Sequence, residues 1–243
     1  MGSARFLHPW WRGSNDLNPS TIVTARHAEL SVISSVDDLH PGSDSFLVDL
    51  LIEAARGATQ IDVTSLAARC QTPDDRLFVE TWPGEHYRLL PALSKALGAR
   101  SVVEVGTYLG QGTLALALGA EKVITYDISD WTTFPSTVLK QSDFDSGIEQ
   151  RIGDLSEPGY FASQLDTLMA ADLIGVDGPK DGIFERVFGN RLYEAIAGTG
   201  KVVMWDDIRL LAMVDIWRQF QVHKLDATSF GHWSGTGLTH SSP

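Results

Sequence analysis

An α/β fold, doubly wound around a mostly parallel seven-stranded sheet with an antiparallel edge strand, is what this sequence predicts, and three observations predict it. The first is the run VVEVGTYLGQGTLAL from Val102 to Leu116, which reads as an apolar strand, a glycine-rich turn and the start of a helix. The second is KVITYD, a further strand ending in Asp127 about twenty residues on, the spacing of two strands joined by a crossover helix. The third is the apolar character of LIGVD and KVVMWD, which suits strands covered on both faces of a parallel sheet.

Taken in order, residues 4–42 are irregular and include HPWWRGSNDLNPSTIV, with a short helix expected near Ala25 to Ser35. Trp10 and Trp11 are expected to pack against the body of the fold or across a dimer rather than to stack on a ligand. Apolar residues at helical spacing predict a helix over 43–57, stopped by Gly57, a turn or two over 66–70, and a helix over 83–97 that Pro91 kinks or restarts. Residues 1–97 thus read as an irregular and helical cap without a sheet of its own, and 98–243 as a domain of alternating strands and helices. Strands are expected at 101–106, 122–127, 148–152, 172–177, 201–206, about 219–226 and about 234–239. The last two leave little room for a helix between them, so a hairpin is expected, with antiparallel pairing.

The chain has 243 residues, enough for one well-buried core. Its 19 Lys and Arg against 31 Asp and Glu give a net charge of −12, which repels phosphate backbones and disfavours a nucleic-acid partner. One cysteine, Cys70, excludes an intrachain disulfide and a thiolate-rich zinc site, and is expected as a semi-buried small hydrophobe. No apolar run reaches membrane-spanning length and no signal-peptide pattern opens the chain, so no membrane association and a cytoplasmic location are expected. Met1-Gly2-Ser3 reads as an expression scar.

The turn places Gly106, Gly110 and Gly112 where side chains would hold a ligand off the backbone, and Asp127 can accept from a ribose hydroxyl. A nucleotide-like cofactor at the carboxyl edge of the sheet is therefore expected. Gly110, Gly112 and Ala115 satisfy the loose dinucleotide fingerprint, but Gly106 already makes the turn after the strand and Asp127 follows Gly110 too soon. This offset counts against a nicotinamide cofactor.

On these residues the chain resembles the class I S-adenosylmethionine-dependent methyltransferases, over about residues 80 to 240. The resemblance implies their Rossmann-like fold and S-adenosyl-L-methionine as cofactor. It implies that Glu104 and the loop Gly106, Thr107, Tyr108, Gly110, Gly112, Thr113 surround the methionine part, and that Asp127 holds the ribose. Ile128 and Trp131 then lie near the adenine, and Asp154 of RIGDLSEP approaches it after the third strand, unless Asp154 only shapes a loop or caps a helix.

Asp177 and the pair Asp206–Asp207 emerge from the carboxyl ends of strands expected to be neighbours. Three converging carboxylates repel one another unless a positive charge sits between them, and a hard dication such as Mg2+ with oxygen ligands is the simplest. The pattern resembles the metal-dependent catechol and sugar O-methyltransferases, which implies Asp177, Asp206 and Asp207 as ligands of magnesium or another divalent cation. It also implies Lys180 as the base, its pKa lowered toward neutrality by a cation and partial burial. Otherwise Lys180 pairs with Asp181 or Glu185, Asp181 serves a helix N-terminus, and Asp206 or Asp207 caps a helix starting near Arg209.

Phe230, His232 and Trp233 are candidate acceptor-pocket walls, with His232 an alternative base, and Trp205 is expected in the core. The acceptor is expected to be a small molecule with adjacent oxygens, a sugar or a catechol. A homo-oligomer formed through the N-terminal region is a further expectation. Competing readings are a metal-independent O- or N-methyltransferase, a nicotinamide-dependent oxidoreductase, and a non-catalytic S-adenosylmethionine-binding module.

Overall fold

The computed structural model describes residues 44–81, 84–210 and 212–242, together with the backbone of 36–37 and 40–41, which form a two-residue antiparallel pairing. The helix expected near 25–35 and the Trp10–Trp11 pair lie outside the described residues.

Seven strands form one sheet: β1 Ser101–Val105, β2 Lys122–Asp127, β3 Ile148–Ile152, β4 Leu173–Val176, β5 Val202–Asp206, β6 His223–Asp226 and β7 Thr236–His240. Their spatial order is β3-β2-β1-β4-β5-β7-β6. Neighbours from β3 through β5 run parallel, and β7 is antiparallel to both β5 and β6. The antiparallel element is therefore β7, with β6 forming the rim beyond it. The order reverses between β1 and β4, the switch point where the carboxyl ends of a doubly wound sheet leave a crevice.

Helices cover both faces, as the apolar strands require. One face carries α1 Ser45–Ala58, α2 Thr64–Ala67, α3 Pro73–Glu80, α4 His86–Ala96 and α5 Gln111–Ala117. Their buried residues Leu47, Leu51, Leu89, Leu93 and Leu116 share a core with Val102, Leu173 and Val202 of the strands. The other carries α7 Pro158–Ala170, α8 Phe184–Ile196 and α9 Met213–Gln219, whose Phe161, Phe188, Leu192 and Trp217 pack with Val103, Ile124, Ile174 and Trp205. A single turn, α6 Gln141–Phe144, precedes β3. Alternation is visible in β1 itself, with Val102 facing one layer and Val103 and Val105 the other. Trp205 is fully buried, its Nε1 donating to Tyr193 Oη at 2.7 Å.

Several elements differ from the sequence reading: Gly57 lies inside α1 rather than stopping it, α2 covers Thr64–Ala67 rather than 66–70, and α3 was not expected. The strand expected over about 219–226 begins only at His223, because α9 runs to Gln219 and the buried Lys224 ammonium donates to the carbonyls of Trp217, Arg218 and Phe220. The segment after Asp207 turns tightly, Leu210 N donating to the Asp207 carbonyl at 2.9 Å, and the next helix starts at Met213 rather than near Arg209. Neither Asp206 nor Asp207 caps it.

Cys70 is half-buried beside Leu66, with burial pushing its thiol pKa up, as a structural thiol would have it. No helix among the described residues is long and apolar enough to cross a membrane.

Candidate active site at the carboxyl edge of the sheet

The turn after β1 is built around a buried carboxyl group. Glu104 lies under it at 4% exposure, accepting hydrogen bonds on Oε2 from Thr113 of α5 and from Thr125 of β2, the latter at 2.6 Å. Thr107 joins the network at 2.8 Å from Thr125 Oγ1. Burial pushes the Glu104 pKa up to about 8 even though both hydroxyls oppose the shift.

The glycines of this turn are demanded by protein neighbours. A Cβ on Gly106, at φ 105°, would sit 2.0 Å from the Asp177 carbonyl oxygen, and one on Gly110, at φ 88°, would enter the Leu139 side chain. A Cβ on Gly112 would lie 2.5 Å from Glu104 Oε1. The sequence reading assigned these spaces to a ligand; the structure fills them with its own atoms. Tyr108, at the exposed crest of the loop, donates its backbone N–H to Asp127 Oδ2 at 2.9 Å. Asp127 Oδ1 accepts from Ser129 N, also at 2.9 Å, so the carboxylate at the end of β2 braces the loop after β1.

Beyond Asp127 the chain exposes Ile128 and then makes a 3-10 turn over Trp131–Thr133. The Trp131 ring stacks on Phe144 with centroids 5.2 Å apart. Asp154 Oδ1 accepts from Ser156 N at 2.7 Å, which shapes the turn into α7. Glu104, Thr107, Thr113 and Asp127 are thereby joined through one loop, with Ile128 and Trp131 following directly and Asp154 on the next strand end.

One strand over, β1 and β4 meet where Asp177 N donates to the Val105 carbonyl at 2.8 Å and Asp177 O abuts Gly106. From there the acidic residues assemble. Lys180 Nζ contacts Asp177 Oδ1 and lies 3.1 Å from Asp207 Oδ2. Asp207 Oδ1 lies 3.9 Å from His232 Nδ1, which also bonds Ser234 Oγ. Asp206, Asp207 and His232 each bring one potential ligand atom, all within 4.8 Å of one another. Asp177 stands apart from that group, across the Lys180 ammonium. Asp181 accepts on Oδ1 from Ile183 N and Phe184 N at the start of α8, the helix role expected of it.

The charge balance explains this arrangement. Burial alone would lower the Lys180 pKa, but the Asp177, Asp206 and Asp207 charges outweigh it and hold the group well above the ordinary lysine value. Lys180 thus stands as a cation among the carboxylates it contacts. Its partners are Asp177 and Asp207, while its backbone N–H, not its side chain, bonds the buried Glu185 at 2.6 Å. Burial and the Asp177 and Asp207 charges push Asp206 well above the usual carboxylate range. For Asp207, burial is outweighed by the neighbouring His232 imidazole, the Lys180 charge and Ser234, and the carboxyl is held low.

Sequence reasoning missed His86. It opens α4, is 6% exposed, and places Nδ1 3.7 Å from Asp206 Oδ1. Its ring centroid lies 5.5 Å from that of His232. Burial brings its pKa down to about 4. Nothing in PGEHYRLL marks the residue, since it comes to the site only by the packing of α4 against the sheet. Glu185, which orders the 177–185 loop through Lys180 N and Gly182 N, was likewise weighed only as a partner for the Lys180 side chain.

Among the described residues, the non-glycine positions with left-handed φ are Tyr108 (42°), Lys180 (57°) and Asp207 (60°), and all three lie at this edge. Such conformations cost free energy and collect where function requires them. A cavity of about 410 Å³ lies at the opposite, amino edge of the sheet, lined by Tyr193, Phe220, His223 and His240, and none of the candidate site residues borders it.

No protein-family profile matches the chain, and no curated protein matches it. Among solved structures, an O-methyltransferase from Bacillus cereus in complex with SAH shares 18% identity over 90% of this chain and 96% of its own, with a TM-score of 0.45. A putative caffeoyl-CoA O-methyltransferase from Staphylococcus aureus shares 13% over 81% and 97%, with a TM-score of 0.49. The MycE methyltransferase of the mycinamycin pathway, in complex with Mg and SAH, shares 18% over 45% of this chain and 30% of its own, with a TM-score of 0.34. Likeness at this level leaves the chemistry to be read from this chain's own side chains.

Proposed function

We propose that the protein is a class I S-adenosylmethionine-dependent O-methyltransferase, and that it uses a divalent cation to methylate a small molecule carrying two adjacent oxygens, such as a sugar diol or a catechol. The observation that carries the reading is the shared wall at Gly106 and Asp177: the loop tied to Asp127 and the acidic cluster begin from backbone in contact. A donor held on one side and an acceptor on the other would meet across that wall, and proximity of this kind supplies much of the rate in methyl transfer.

Asp127 is placed to accept from the two ribose hydroxyls, with its own orientation set by Tyr108 N and Ser129 N. The residues present fit a dication: Asp206 Oδ1 is buried with no hydrogen-bond partner among the described residues, and oxygen-rich donor sets suit such ions. Asp206 and Asp207 would hold it, and when bound it would lower the pKa of an acceptor hydroxyl and fix its direction. Lys180, kept as an ammonium by Asp177 and Asp207, orients and balances charge. His232, whose Nδ1 is turned to Ser234, is the better-placed proton acceptor. The acceptor oxygen forms a bond to the methyl carbon as the sulfonium–carbon bond breaks, S-adenosylhomocysteine leaves, and the hydroxyl proton passes to the imidazole.

The position of Lys180 also favours a second reading, a metal-independent methyltransferase in which the ammonium does the work of the cation. Titration with S-adenosylhomocysteine, followed by turnover assays on diol and catechol panels with and without chelator, separates the two. Loss of turnover on chelation with cofactor binding intact is expected. Full turnover in chelator would establish the metal-independent reading, and no binding of S-adenosylhomocysteine would overturn both.

A further inference from the structure

Two imidazoles border the acidic cluster, and they differ in what they already hold. His232 Nδ1 is engaged by Ser234 Oγ. His86 Nδ1 and Asp206 Oδ1 are both buried and neither has a hydrogen-bond partner among the described residues. At 3.7 Å they are too far apart to bond each other, yet close enough for bonds of about 2.1 Å to reach one ion from both. Leaving two adjacent buried polar atoms unpaired costs stability, so such a pair in a native fold calls for an occupant. Lys180 does not serve, since its ammonium is directed to Asp177 and Asp207.

Resting on the metal-dependent reading above, we propose that His86 is a direct nitrogen ligand of the site, facing Asp206, and that the site therefore prefers a borderline dication of the Co2+, Ni2+ or Zn2+ class over Mg2+. Carboxylates and waters alone suit magnesium, whereas an imidazole shifts preference toward these later metals. Because His86 opens α4, the helical layer built from the first hundred residues supplies a ligand to a site otherwise made from strand ends and the loop before β7.

The test is a titration of the protein with Co2+ and, separately, Mg2+, followed by calorimetry and by the visible absorption of bound Co2+. His86→Gln and His232→Gln are compared with wild type, and metal-free melting and S-adenosylhomocysteine binding report whether each variant is folded. Wild type is expected to bind Co2+ more tightly than Mg2+, and His86→Gln to lose more Co2+ affinity than the roughly tenfold to hundredfold typical of an outer-shell partner, with a shifted absorption spectrum. His232→Gln tests the competing ligand, since His232 shares a possible ligand group with Asp206 and Asp207, and it is expected to keep the wild-type Co2+ spectrum. Wild-type affinity and spectrum in a folded His86→Gln, or loss of the spectrum in His232→Gln, would overturn the assignment while leaving metal dependence in place. A wild-type protein that binds neither ion would overturn metal dependence, and this inference with it.

Discussion

Glu104 keeps a proton in the folded protein that it loses in the unfolded chain over much of the working pH range. Its carboxyl titrates at about 8 when folded against an ordinary value of 4.5. A raised acid pKa contributes stability that is full below the unfolded value and lost as pH rises through the folded one. Thermal melts should therefore fall between about pH 4.5 and 8, and Glu104→Gln should flatten that slope by a few kcal/mol relative to wild type. Identical slopes for the two proteins would show that the group is ionised in place. Asp127 makes a different demand, since its two oxygens accept from Tyr108 N and Ser129 N and, on the proposed function, from the ribose. Asp127→Ala should weaken S-adenosylhomocysteine binding about tenfold to a hundredfold in calorimetry, the scale of losing one or two hydrogen bonds to a charged acceptor. Unchanged affinity would place the cofactor elsewhere.

At the scale of elements, β1 and β4 touch so closely at Gly106 that no side chain fits. Gly106→Ala should cost about 3 kcal/mol or more, through collision with the Asp177 carbonyl and a left-handed φ, and denaturant melts would read it. A second brace links the helical layer to the segment after β2. Arg69, following α2, forms a two-pronged contact with Asp143 of α6 at 2.6 and 2.9 Å, and Gln71 donates to the Pro135 carbonyl at 3.0 Å. Burial would raise the Asp143 pKa, but the Arg69 hydrogen bonds outweigh it and hold it low, so this stability is present at neutral pH and lost as pH falls below the usual aspartate range. Arg69→Ala should cost about 1–3 kcal/mol at neutral pH and very little in strong acid. An equal loss at both pH values would mean that the arginine acts only through packing.

Much of the whole molecule was legible because the signals that build it are local. The alternation of apolar strands with helices, the turn at Gly106 and the aspartates at strand ends follow from short runs such as VVEVG, KVITYD and VVMWDD. What escaped depends on distance in sequence. The hairpin of β6 and β7 could be expected, yet the insertion of β7 beside β5 depends on which edge the strand meets. The late start of β6 reflects Lys224 capping the end of α9, a buried contact no periodicity announces. His86 reaches the acidic cluster from a helix more than a hundred residues before Asp206, and Lys180 joins Asp177 to Asp207 across two strand ends. The ends of strands were readable, and the company their side chains keep was not.

The central claim is that the methyl donor and the acidic cluster occupy one crevice. Relaxation of the methyl resonance of carbon-13-labelled S-adenosylmethionine, measured on the protein with and without one equivalent of Mn2+, tests it most directly, because paramagnetic broadening falls steeply with distance. Strong broadening that disappears in Asp206→Asn is the predicted result. A donor and Mn2+ that both bind while the methyl signal keeps its metal-free width would contradict the account.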